Sequence, residues 1–264
     1  RAARDWDLVL APYQPVPDLA EFEPDEVLPE PGGKWDALHR LLARRPDLLT
    51  RAPRLWLPDD DVEADAGTLA RLLDHAEAEG LALAQPALTP DSEFSFAITL
   101  RNRFTAVRRT NFVELMAPLM TAELLAAALP HMEGRPAAKG LDFWWTRLAP
   151  PGAVAIVDAA AMAHRRPLGR HLAGRARRAG ADAVAEGRAW RARHLPGPLP
   201  RPLVLDAPGG RAGAAARELA SILASPALLA RPRHAGTLLR HVADQLWAPD
   251  RTRPAGPPPP APAD

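Results

Sequence analysis

Three consecutive aspartates, Asp59, Asp60 and Asp61, follow the apolar stretch Arg54–Leu57 and Pro58. Carboxylates this close repel one another, which costs stability unless a cation sits among them. Hard divalent ions such as Mn2+ or Mg2+ prefer oxygen ligands and share them with substrate phosphates. In an extended chain Asp59 and Asp61 face one side and Asp60 the other. The cluster therefore points to a metal or diphosphate site. A plainer reading stays open, in which the aspartates solvate a loop and cap the helix expected at 66–79. A phosphatase-type aspartyl nucleophile does not fit, because Val62 and Glu63 stand where its Asp-x-Asp-x-Thr pattern would continue.

Other residues carry weaker signals. Lys34 lies in Gly-Gly-Lys-Trp at an expected helix start, where exposed backbone N–H groups suit phosphate, although a plain turn fits equally well. Glu114 interrupts an apolar run at 111–119 and is either an inward acid or part of a solvent face. Arginines crowd 165–201, including Arg165, Arg166, Arg170, Arg175, Arg177 and Arg178. Such a stretch could bind nucleic acid or an acidic partner. Arginine is frequent along the whole chain, so a solvated helix face explains it better and nucleic acid is not expected.

The elements that must hold these residues follow from apolar spacing. Residues 6–13, 54–57, 81–86 and 153–159 read as strands, and 14–33 as loop. Trp35, Leu38, Leu41 and Leu42 give a helix at 34–44, and Leu69, Leu72, Leu73 and Ala76 another that closes at Gly80. Thr121 is placed to cap a helix at 122–129 and Asp142 one at 143–148. Strands alternating with helices predict an α/β domain around a mixed sheet, with the aspartates delivered by a buried strand to the sheet's carboxyl edge. Beyond about 165 the chain is rich in Arg and Ala, with helices expected at 172–193 and 211–246 around a Pro-rich break at 196–202. The expected organisation is an α/β domain over 1–169, a helical region over 170–250 and a disordered Pro-rich tail over 251–264.

Composition narrows the classes further. The 264 residues include no cysteine, which excludes disulfides, zinc–thiolate sites and cysteine nucleophiles and suits a cytoplasmic location. Net charge is +1 and only Lys34 and Lys139 are lysine. No apolar run approaches the ~20 residues of a membrane span. The chain opens at Arg1 without a signal-peptide pattern.

Five segments occur in one order: WLPDDDVE (56–63), LAQPALTPDS (83–92), TNFVELMAPLMT (110–121), GLDFWW (140–145) and VDAAAMAHRRPLG (157–169). This series resembles the family called domain of unknown function 707, which is similar to glycosyltransferases of the GT-A class. The resemblance runs from Trp6 to Gly169 and implies a GT-A fold, a single α/β domain around a mixed sheet. It also implies transfer of a sugar from a nucleoside-diphosphate sugar to an acceptor, which the resemblance does not name. Asp59 and Asp61 then match the Asp-x-Asp pair whose Mn2+ or Mg2+ bridges the two phosphates, with His164 a further ligand from a later strand end. Asp142 becomes the base that deprotonates the acceptor, with Trp144 and Trp145 beside it to stack on sugar rings. Asp60, Lys34, Trp56, Gln85, Asp91, Asn111 and Arg165 are the expected substrate contacts, with Thr89, Arg166 and Arg170 as further polar candidates. In a GT-A fold the first strand carries the nucleoside-binding loop; this chain opens near the second, so that part of the donor site is expected to be missing. A nucleotidyl- or phosphotransferase would use the same acidic cluster.

Overall fold

The computed structural model describes residues 4–166 and 183–248. Arg170, the first half of the helix expected at 172–193 and the Pro-rich tail lie outside them.

The described residues form an α/β structure around a six-stranded mixed sheet. Its strands are β3 (Arg54–Trp56), β4 (Val62–Glu63), β5 (Leu83–Leu88), β6 (Val107–Arg109), β7 (Leu119–Thr121) and β8 (Val154–His164), in the order β3-β7-β5-β8-β4 with β6 also on β8. Only β5 and β8 pair in parallel; the other pairings are antiparallel. All six β5 residues are buried, as expected of a strand covered on both faces. Pro86 lies where the β5–β8 register jumps, from Pro86↔Val157 to Ala87↔Ala161, a break that a residue without an N–H tolerates.

Successive residues of β5 feed opposite faces. Leu83 joins Trp35, Leu41, Leu125 and Trp145 in the main core, while Ala84 packs with Leu72 and Ala76 on the other side. Helices α1 (Lys34–Arg44), α2 (Asp47–Arg51) and α4 (Ala122–Ala128) cover the first face and α3 (Ala66–Ala78) the second. Asp65, not the aspartate cluster, caps α3: its side chain accepts from the Thr68 N–H at 2.5 Å. Thr121 caps α4 as its position predicts.

Several elements differ from expectation. The strand expected at 6–13 shrinks to β1 (Val9–Leu10), paired with β2 (Glu26–Val27) in a separate two-stranded sheet inside the expected loop. Strand β3 is a half-buried edge strand rather than a buried one, and Asp59–Asp61 sit in the turn leading to β4. The short β4 and β6 lack the length to show a period in sequence. Gly140, with φ +103°, opens helix α5 (Leu141–Trp144), so Asp142 stands in the first turn instead of at the cap.

The C-terminal helices pack on this body. In α7 (Gly210–Leu223) Glu218 is buried against Arg108 of β6, and His241 of α9 (Ala235–Trp247) lies 3.2 Å from Glu218. Helix α6 (Ala183–His194) precedes α7, and the single turn α8 (Pro226–Leu229) lies between α7 and α9. Arg108 is held by both oxygens of Asp158, at 2.7 and 2.8 Å, and by Glu218 at 3.1 Å. Among the described residues no helix is long and apolar enough to cross a membrane.

Candidate functional site

The β4–β8 pairing brings the two strongest candidates together. Val62 pairs with His164, which places the preceding residue, Asp61, beside the histidine ring. His164 Nε2 lies 3.3 Å from Asp61 Oδ2 and its Nδ1 lies 2.9 Å from the Glu93 carbonyl oxygen. A carbonyl can only accept, so Nδ1 carries the proton there. Nε2 is then protonated too, giving an imidazolium, or presents its lone pair towards Asp61, an arrangement that a proton on the carboxyl or a cation between them satisfies. The Asp61 hydrogen bond raises the His164 pKa, and His164 lowers that of Asp61. Asp61 Oδ1 is buried without a hydrogen-bond partner.

Asp59 is held differently. Lys34 Nζ donates to Asp59 Oδ1 at 2.7 Å and to the carbonyls of Leu115 and Met116, both at 3.0 Å. These three bonds use all the protons of the ammonium. Lys34 thus clamps the aspartate turn to the 115–116 segment instead of presenting a free charge. Of the glycines before it, Gly33 serves packing, since a Cβ there would stand 2.4 Å from Pro136, and Gly32 supplies a φ of +121°. Asp60 accepts from the Tyr13 hydroxyl at 3.1 Å and has Arg166 at 3.6 Å.

Two further carboxyls are buried, and one of them, Glu114, lies two residues before Met116, whose carbonyl accepts from the Asp59 N–H at 2.8 Å. Glu114 and Asp142 are each only 7% exposed. Burial, then Asp142 and then Asp59, push Glu114 up to about 8. Burial likewise lifts Asp142 to about 6. Glu114 Oε2 is buried with no partner, while its backbone N–H donates to Gln85 Oε1 at 2.6 Å. The only sequence signal for Glu114 was a single acid within an apolar run.

The remaining candidates are used elsewhere. Asn111 spends both ends of its amide on the 201–203 segment, through Arg201 O at 2.8 Å and Leu203 N at 2.7 Å. Trp144 and Trp145 are core residues at 1% and 0% exposure, so neither offers a face for a sugar ring in this conformation. Trp145 donates to the Val113 carbonyl at 3.0 Å, and Trp144 packs on His131. Trp56 donates to the Ala117 carbonyl at 3.1 Å. Arg165 bridges Glu63 and Asp91 at 2.9 and 2.5 Å on the rim, and Thr89 bonds Ser92 at 2.9 Å.

Among the described residues no three His, Asp or Glu side chains stand together as a complete metal-ligand set. Two of the three expected ligands, Asp61 and His164, do fit a cation, through the orphaned Asp61 oxygen and the Nε2 edge that faces the carboxylate. Asp59 is engaged by Lys34. No family model matches the chain, and no curated protein matches it.

Proposed function

We propose that the chain is a metal-dependent glycosyltransferase of the GT-A type, which moves a sugar from a nucleoside-diphosphate donor to a hydroxyl acceptor. The observation that supports this best is the Asp61–His164 pair, in which a histidine oriented by a backbone carbonyl faces a carboxylate with a buried, unpartnered oxygen. A divalent ion held there would neutralise the charge that grows on the departing diphosphate. Asp61 and His164 would be its protein ligands, and Asp59 would join them on release from Lys34. Arg166, next to Asp60, stands where it could meet the phosphates.

Asp142 is the proposed base. Its pKa near 6 leaves it largely ionised at neutral pH yet basic enough to accept a proton. The acceptor oxygen bonds to the anomeric carbon as its proton passes to Asp142. The bond from that carbon to the phosphate oxygen breaks, and the nucleoside diphosphate leaves with the electron pair.

A panel of nucleoside-diphosphate sugars with Mn2+ tests the proposal. Release of nucleoside diphosphate by the wild type, and its loss in an Asp59→Ala, Asp61→Ala double variant, would support glycosyl transfer. Equal release by both proteins would sink it, and release of pyrophosphate instead would indicate a nucleotidyltransferase.

A further inference from the structure

His164 is held by a loop as well as by its strand neighbours. Three bonds join it to residues 92–93. The Glu93 N–H donates to the His164 carbonyl at 2.9 Å, the His164 N–H donates to Ser92 Oγ at 3.1 Å, and the ring Nδ1 donates to the Glu93 carbonyl at 2.9 Å. The loop in turn leans on Arg231, in the turn between α8 and α9. The Arg231 guanidinium donates to the Ser92 carbonyl at 2.6 Å and to the Glu93 carboxylate. The Ser92 carbonyl and the Glu93 N–H belong to one planar peptide unit. That unit is therefore gripped at both edges, by His164 on one side and by Arg231 on the other. With the Glu93 side chain gripped too, the next carbonyl has little freedom and stays on the His164 ring.

The other arginines at this loop hold it less directly. Arg165 bonds Asp91 with both side chains about half exposed, where an ion pair contributes little. The Arg233 side chain is 63% exposed and reaches the Glu93 carboxylate at 2.5 Å. The Arg231 side chain is 19% exposed and bonds the backbone itself. Phe94, the next residue of the loop, lies against His234 with ring centroids 4.5 Å apart and packs with Leu228 and Leu238 in one apolar cluster. The turn carrying Arg231 therefore cannot swing away without opening that cluster. A metal-ligating histidine commonly donates its other ring N–H to a carbonyl or carboxylate, which fixes the direction of its lone pair. We propose that Arg231 is a positioning residue of the metal site. By locking the Ser92–Glu93 peptide it keeps the Glu93 carbonyl on Nδ1 and aims His164 Nε2 at the cation, which makes the C-terminal helical region a working part of the donor site.

This rests on the glycosyltransferase reading, and the test separates the two. Mn2+ binding with uridine or guanosine diphosphate is followed by electron paramagnetic resonance on wild type, His164→Ala, Arg231→Met, Arg231→Lys and Arg233→Ala. Pulsed spectra add the nitrogen coupling that reports an imidazole on the ion. Arg231→Met keeps the apolar stem of the side chain and removes its donors. The wild type should show the nitrogen coupling and His164→Ala should lose it. Arg231→Met should bind Mn2+ about 3- to 10-fold more weakly, at or below the effect of removing a group that touches the ligand itself, and with a reduced nitrogen coupling. Arg231→Lys keeps a charged donor and should recover part of both. Arg233→Ala should match the wild type. Urea unfolding shows which variants are folded. If the wild type binds no Mn2+ with either diphosphate, or binds it without nitrogen coupling, the assignment of the ion to Asp61 and His164 fails, and this inference with it. If the wild type shows both, but folded Arg231→Met equals it or Arg233→Ala loses as much, the Arg231 assignment alone fails. Loss of cooperative unfolding in both Arg231 variants would make Arg231 a structural residue and overturn the assignment as well.

Discussion

His164 Nε2 faces Asp61 Oδ2 at 3.3 Å, while its Nδ1 is committed to the Glu93 carbonyl at 2.9 Å. Their contact favours the charged form of each, the His164 pKa being raised and that of Asp61 lowered. The raised histidine contributes stability that is complete below about 6.5 and fades as pH rises through its folded value. The depressed aspartate contributes stability present above its usual 3.8 and lost as pH falls through its folded value. Asp61→Asn should therefore return the His164 midpoint towards the ordinary histidine value. An NMR titration of the ring proton in the presence of a chelator checks this, and an unmoved midpoint would contradict the pairing.

Glu114 and Asp142 behave in the opposite sense. Both acids are held above their usual 4.5 and 3.8, at about 8 and about 6. Between those limits the folded state binds more protons than the unfolded state, so stability should fall as pH rises from ~4 to ~8. Glu114→Gln should remove most of the upper part of that slope. Urea unfolding at stepped pH measures it, and parallel curves for variant and wild type would count against a strained Glu114.

Lys34 and Asp59 make a clamp that competes with metal. Lys34→Ala frees the Asp59 carboxylate, so Mn2+ should bind the nucleotide-free variant several-fold more tightly than wild type, a change of less than about 1.4 kcal/mol. Calorimetric titration of Mn2+ reads this directly. Unchanged affinity would mean that Asp59 does not join the ion.

The Arg108–Asp158 pair ties the sheet to the C-terminal helices. Arg108 is 2% exposed and Asp158 is fully buried, and Glu218 of α7 completes the group. Removing one member of a buried pair typically costs about 3–5 kcal/mol. Asp158→Ala should lower stability by that order in urea unfolding, with α7 and α9 losing amide-exchange protection first. A loss below about 1 kcal/mol would show that packing alone holds the helices.

The aspartate cluster and the helices around it were legible because they follow local rules. Trp35, Leu41 and Leu42 repeat with a helical period, Thr121 precedes its helix as a cap should, and β5 is an unbroken buried run. The role of Asp65 as the cap of α3 was hidden by three aspartates that precede it. Asn111 and Gln85 looked alike in sequence as polar residues at strand ends. Only the long-range partners, Leu203 for one and Glu114 for the other, separate a brace of the C-terminal segment from a support of the site. Trp144 and Trp145 sit beside an acid in sequence, yet the turn at Gly140 directs both into the core. The Asp61–His164 contact depends on a two-residue strand pairing across about a hundred residues of sequence, a separation that no local pattern reports.

Mn2+ binding in the presence of nucleoside diphosphate, followed by electron paramagnetic resonance, tests the central claim most directly. Wild type should bind the ion, and both His164→Ala and Asp61→Ala should weaken it by about 10-fold or more, while their urea midpoints show that each variant remains folded. Wild-type affinity in both folded variants, or no binding by the wild type, would contradict the assignment of Asp61 and His164 to a metal-dependent donor site.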